Sequence, residues 1–407
     1  MSIRSAISMI LVVALLAFLL VVSVSFPGAP QTTAAQMTFA IGDVFAAVGS
    51  GRIKVFDPNG NLKATLDTTS ASAFTTGMCF EATMNLYGTN FSANNMTKFN
   101  PDGTISIHPF GSGFNAQPES CIVDAQGNIY VGQPDGSRDI LKFSPSGAFL
   151  ASFDAVVTNR GTDWIDLAAD QCTMFYTSEG TTIKRFNVCT NTQLPDFATG
   201  LPGASFALRI RQNGDVLVAS SAVAVRLNSS GQIVQTYTPA PNEFLFALNL
   251  DPDGTSFWTA GLFSGAIYRV DIATGNVIKT FNATPFTQLA GLSIKGEITS
   301  GGGGGPGFDV CLQNDTDGSV MKINSTTGEY SWCCGATFPV FTLTGTGTIT
   351  RKGSGFTLTD FRSDRRVLAQ YDTSTNIGKA SLQSPQGTLR CTIQDRNITN
   401  NSCNCPQ

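Results

Sequence analysis

Ile140-Leu141-Lys142-Phe143-Ser144-Pro145-Ser146-Gly147 reads as a short strand stopped by a turn, and the chain returns to it again and again. Apolar residues around one lysine suit a half-buried strand, and the Pro and Gly that follow force a reversal. Related stretches are Ile53–Gly60, Met96–Gly103, Ile183–Asn187, Ala224–Gly231 and Ile267–Asp271. Aligned on Phe56, Phe99, Phe143, Phe186, Leu227 and Val270, they recur at steps of 43, 44, 43, 41 and 43 residues. A fixed period of that size, made of strands and turns without a helical pattern, predicts an all-β fold, a β-propeller.

Each repeat divides into four strands. In the third, Pro118–Asp124 is the innermost, Asn128–Gly132 the second, Asp139–Phe143 the third and Ala148–Phe153 the outer edge, with turn residues between. The first repeat begins at Asp43–Val48 and lacks an innermost strand, whereas Leu289–Ile294 is an innermost strand with no repeat after it. The late strand is therefore expected to complete the first blade, closing a six-bladed ring with a C-terminal strand.

The chain divides accordingly. Residues 1–36 form a signal peptide or membrane anchor, 37–299 the propeller, 300–307 a Gly-rich linker, and 308–407 a small all-β domain. The glycine run can bury nothing and loses much entropy on ordering. Beyond it, Thr alternates with apolar residues in Phe341–Thr344, Thr346–Thr350, Phe356–Thr359, Arg366–Tyr371, Lys379–Leu382 and Thr388–Ile393. That alternation predicts a small disulfide-containing β-sandwich or barrel.

Only 13% of the 407 residues are charged and the net charge is −4, so no basic face calls for nucleic acid. Arg4 precedes an apolar run from Ala6 to Phe26, and no further charge occurs before Asp43. This reads as an export signal, cleaved or retained as an anchor, and it places the chain outside the cytoplasm, secreted or in the cell envelope. A membrane is a partner only if the segment is retained. Ten cysteines agree with an oxidising compartment. Cys172 and Cys189 flank a hairpin symmetrically and are expected to pair. Cys79 and Cys121 occupy matching positions of neighbouring repeats and are either a second bridge or two buried thiols. Cys311, Cys333, Cys334, Cys391, Cys403 and Cys405 read as a disulfide set rather than a metal site.

The run from Pro118 to Val131, with Ile140–Phe143 and its turn, resembles the NHL-type repeat. That group includes six-bladed propellers of the SMP-30/gluconolactonase and streptogramin-lyase kinds. The likeness covers about two thirds of the chain and implies the fold far more than an activity. The last hundred residues resemble small Cys-bearing modules joined to secreted bacterial proteins by glycine linkers.

In the lactonase relatives a divalent metal is held in the central channel by acidic and Asn side chains of several inner strands. The matched positions here are Thr76, Glu119, Trp164, Phe206, Phe246 and Ala290, of which only Glu119 is a cation ligand. Asp163, Asp166, Asn242 and Glu243 lie close by in sequence and are expected at one rim. The lyase relatives use a histidine base, but the single histidine, His108, falls on an outer strand, away from the channel. Asp57–Gly60, Asn100–Gly103, Asp251–Gly254 and Asn314–Gly318 read as Asx turns rather than calcium loops. No nucleophile elbow or phosphate loop is present.

The sequence thus points to an exported, non-catalytic binding or scaffold protein that presents a loop face to an extracellular protein or carbohydrate, and enzyme chemistry is not favoured. The candidate channel-rim residues are Glu119, Asp163, Trp164, Phe206, Glu243 and Phe246, with Arg160 as a polar companion. No cofactor is expected, Ca2+ being the one candidate. The alternative is a metal-dependent, lactonase-like hydrolase using Glu119 and Asp163 at the channel.

Overall fold

A computed structural model describes residues 39–297, apart from 71–73, 82, 212 and 284–287. It also describes 310–397, apart from 314–318, 324–328, 334–341, 353–354, 364, 373–376 and 384–388. The N-terminal apolar segment, the glycine linker, the Asn314–Gly318 turn and the last ten residues lie outside the described residues. Six four-stranded antiparallel sheets follow the repeats. Blade 1 takes Leu289–Ile294 as its inner strand, paired antiparallel with Val44–Val48. The inner strands of blades 2 to 6 are Thr75–Phe80, Ser120–Val123, Ile165–Leu167, Ser205–Ile210 and Leu245–Leu250. Each inner strand touches the next, and that of blade 6 touches that of blade 1, so the ring is closed.

The core explains the sequence period. Side chains alternate between the two faces of a strand, so each blade offers an apolar face to both neighbours. The result is an apolar cluster between every adjacent pair of blades, such as Phe45, Ile53 and Val55 with Met78, Leu86 and Phe99 between blades 1 and 2. At the seam, Val44, Ala46 and Leu292 pack with Trp258, Ala260 and Ile267 of blade 6. Two inner-strand glycines set the closeness of approach on one side of the channel. The Gly77 N–H donates to the Glu119 carbonyl oxygen at 2.6 Å. A Cβ there would lie 2.5 Å from the same oxygen, and one at Gly291 would run into the Thr76 carbonyl.

The expected Cys172–Cys189 disulfide is present, and of the two readings left open for Cys79 and Cys121 the bridge is the one that forms. Cys172–Cys189 has its Cα atoms 5.2 Å apart. The hairpin register pairs Thr173 with Asn187, so the bridge lies just beyond the ladder and one residue out of step. Cys79–Cys121, with Cα atoms 5.6 Å apart, ties the inner strands of blades 2 and 3. The Asx turns form as expected, with the Asp57 carboxylate accepting the N–H groups of Asn59 and Asn61, each at 2.9 Å.

The C-terminal residues form a four-stranded and a five-stranded antiparallel sheet. Leu312, Met321 and Trp332 of the first and Leu358, Val367 and Ala369 of the second belong to one core. The architecture is the sandwich option. Val310–Gln313, Val320–Ile323 and Glu329–Cys333 are strands ahead of those expected. Thr346–Thr350, read as one strand, is divided: Thr342–Thr346 ends one sheet, Gly347 turns, and Thr348–Lys352 begins the other. The sulfur atoms of the six C-terminal cysteines lie outside the description.

Candidate functional site

In an antiparallel blade, the segment entering the inner strand and the turn joining second to third strand lie on one side of the ring. Together they make a loop face, and the remaining turns make the opposite turn face. Glu119 and Asp163 sit on entering segments of blades 3 and 4, one residue or two before their inner strands. Their backbones are fixed. The Glu119 N–H donates to Gly132 O at 2.9 Å and that of Asp163 to Thr177 O at 3.1 Å. Ser120 Oγ donates to the Asp163 carbonyl at 2.7 Å.

The two residues are 2% and 0% exposed. No N–H or hydroxyl of another residue reaches Glu119 Oε2 or either Asp163 oxygen. The two acids answer each other. Burial raises the Glu119 carboxyl well above its ordinary range, and the Asp163 charge and hydrogen bond push the same way. Asp163 is also raised by burial, although its hydrogen bond with Glu119 opposes the rise. Like charges in a dry site oppose each other's ionisation, so both carboxyl groups are pushed toward their neutral forms.

Arg160 lies over this pair as the hub of the rim. Its guanidinium reaches Asp135 Oδ2 at 2.5 Å, Glu179 Oε1 at 2.9 Å and Gln117 Oε1 at 3.4 Å, and stands 5.6 Å from the Phe91 ring centre. Asp135 and Glu179 come from the second-to-third turns of blades 3 and 4. The sequence reading missed both as site residues, since nothing in those turns marks them until Arg160 is laid between them.

Beside the acids runs a row of rings. Trp164 meets Phe246 edge-on at 5.9 Å, Phe246 lies 4.9 Å from Phe206, Phe206 5.2 Å from Phe244, and Phe244 5.5 Å from Phe263. Trp164, Phe206 and Phe246 are 1%, 6% and 7% exposed, so they fill the channel and form no open stacking surface. The exposed member is Phe263, 59% accessible, at the tip of the blade 6 turn. Its position between Gly261 and Gly265 was the available signal.

The other expected rim residues do not converge on the acids. Glu243 is occupied by Tyr268 OH at 2.8 Å and Ser264 Oγ at 2.9 Å, which fastens the blade 6 turn. Tyr268 is pushed up to about 12, by burial first and by Glu243 next. Asn242 is exposed beside it. Asp166 belongs to the opposite end of the channel, where its Oδ2 accepts the Ile210 N–H at 2.7 Å. There Arg209 Nε meets Glu297 Oε1 at 2.9 Å, and Glu297 also accepts from Asn249 Nδ2 at 2.8 Å and Leu250 N at 2.6 Å. Burial lifts Asp166 to about 7 against the pull of Arg209. His108 lies on the outer strand of blade 2, its Nδ1 2.8 Å from the Thr97 hydroxyl.

No protein-family profile matches the chain, and no curated protein matches it. Among solved structures, a nidogen/laminin complex superposes with a TM-score of 0.50 at 15% identity, covering 62% of this chain and 97% of the other. The WD40 β-propeller domain of Doa1 gives a TM-score of 0.49 at 10% identity, covering 75% and 89%. At such identity the likeness to the first is one of fold, and it agrees with the closed ring of blades described above.

Proposed function

We propose that this chain is an exported, non-catalytic binding protein whose propeller presents its loop face to a protein partner. One observation carries the reading. At the matched inner positions the channel is filled by Trp164, Phe206 and Phe246, while apolar ring surface comes out to solvent at Phe263 on the rim. A filled channel with an aromatic outlet suits contact with another surface better than enclosure of a small substrate. The complex of similar fold is itself an assembly of nidogen with laminin, and protein–protein contact is the use carried over here. Two disulfides in the propeller fit an oxidising compartment.

The hydrolase alternative draws on the Glu119–Asp163 pair. A hard cation such as Ca2+ takes six to eight oxygens. The ring offers one carboxyl group, one threonine, three aromatic rings and an alanine, with Asp163 beside it as a second carboxyl, and two acids whose burial disfavours their charged forms do not fit such an ion. Two measurements test the reading. Incubation with a panel of lactones and calcium is expected to give no turnover, and turnover abolished by Glu119→Gln overturns it. Cross-linking to partners captured from cell-envelope or culture fractions is expected on the loop face, and cross-links confined to the turn face overturn it.

A further inference from the structure

We propose that the mouth on the loop face takes a basic side chain of the partner, a lysine ammonium or an arginine guanidinium, with an adjoining apolar side chain seated on the aromatic row. The inference rests on the binding reading above and specifies the chemistry of the partner.

Three observations support it. First, the blade 3 and 4 half of the mouth is electronegative. Asp135 and Glu179 already share one cation, Arg160. The buried oxygens of Glu119 and Asp163 nearby receive no donor from any other residue. The two rim carboxylates alone outweigh the one guanidinium. Buried acceptors without donors are costly and favour an incoming N–H-rich cation.

Second, Arg160 is itself a prototype of the guest. Its guanidinium forks between two carboxylates while its Cζ stands 5.6 Å from the Phe91 ring centre, and its side chain is 31% exposed. A second guanidinium or ammonium approaching from solvent meets the same acceptors, with aromatic faces nearby to favour it. Third, the acidic and aromatic halves are joined covalently at Asp163-Trp164. From there the row through Phe246, Phe206 and Phe244 comes to the surface at Phe263. A guest with a cation and a neighbouring apolar group spans both halves; an acidic guest is repelled.

The test is selection of a random heptapeptide library displayed on phage against the full chain, followed by calorimetric titration of the enriched peptides. Enrichment of Lys or Arg beside Leu, Phe or another apolar residue is expected. Binding of these peptides should fall about tenfold on Asp135→Asn/Glu179→Gln, by a similar factor on Phe263→Ser, and with rising salt. Both sets of substitutions lie in surface turns, so melting curves close to wild type verify the fold. Arg160→Gln should strengthen binding about fivefold by releasing the carboxylates, which a merely structural arginine would not do. Enriched peptides that lack a basic residue yet respond to Phe263→Ser overturn the inference and leave the loop-face reading standing. Absence of enrichment, or peptides indifferent to both variants, overturns both.

Discussion

The two ends of the channel are built from similar residues to different effect. At the turn end, Arg209, Glu297 and Asn249 lock together inside the ring, and backbone N–H groups of Leu250 and Ile210 complete the carboxylates of Glu297 and Asp166. One oxygen there, Asn249 Oδ1, lacks a donor. At the loop end, three carboxylate oxygens of Glu119 and Asp163 receive none from any other residue, and Arg160 at the rim pairs with Asp135 and Glu179 instead. Buried charge that is answered from every side fixes a structure. Charge left short of donors beside an exposed ring marks where a partner is expected. On the proposed reading, the turn end holds the ring closed and the loop end is the one that meets a partner.

The largest effect expected from breaking this contrast is at the turn end. Arg209→Ala strands the Glu297 carboxylate in the interior and should cost about 3–5 kcal/mol in urea unfolding. Replacing both partners, Arg209→Met with Glu297→Leu, should cost much less. A loss below about 1 kcal/mol for the single variant would deny this end its structural role. The Cys172–Cys189 bridge lies on the same turn face, and replacing both cysteines by Ser should remove about 3 kcal/mol, as expected for a loop of this length.

Next in size is a dependence on pH. Glu119, Asp163 and Asp166 are all raised above ordinary carboxyl values by burial. The folded chain therefore holds more protons than the unfolded chain once pH exceeds the unfolded range near 4. Stability falls as pH climbs from there toward the raised values, about 7 for Asp166. Unfolding measured at pH 5 and pH 8 should differ by about 2–3 kcal/mol in favour of pH 5. Glu119→Gln supplies permanent donors to Asp163 and should flatten the loop-end share of that slope. Equal stabilities at the two pH values would contradict burial of these acids. The smallest change in stability belongs to Phe263→Ser, under about 0.5 kcal/mol for an exposed turn residue, together with a clear loss of partner binding. A large drop in melting temperature instead would make Phe263 a packing residue.

Much of the scaffold was readable in advance because its physics is local and repeated. The step of 41 to 44 residues marks one blade, the Asx-Pro-x-Gly turns mark its reversals, and the unpaired strand Leu289–Ile294 matches the missing inner strand beside Val44–Val48. The matched ring from Thr76 to Ala290 was legible for the same reason. The sandwich was only partly so: Gly347 moves the chain between sheets within a run of threonines that alternates unbroken.

The site was less legible because its pairs span blades. Glu119 and Asp163 were both picked out, but that burial raises both carboxyl groups depends on how blades 3 and 4 meet. Asp166, two residues beyond Trp164, was placed at the wrong end, since a strand carries its side chains through the channel within a few residues. Arg209 and Glu297 are 88 residues apart and were not seen at all, although a lone arginine inside Ser205–Ile210 was a usable sign.

The order of residues settled the repeat, the closing strand, the turns and the Cys172–Cys189 pair, because strand period, turn chemistry and hairpin symmetry act between near neighbours. Tertiary structure alone decided which carboxylates are buried together, which are paired with an arginine and which ring comes to the surface. Those outcomes depend on burial and on distances across the channel, and such quantities come into being only when six blades close on one axis.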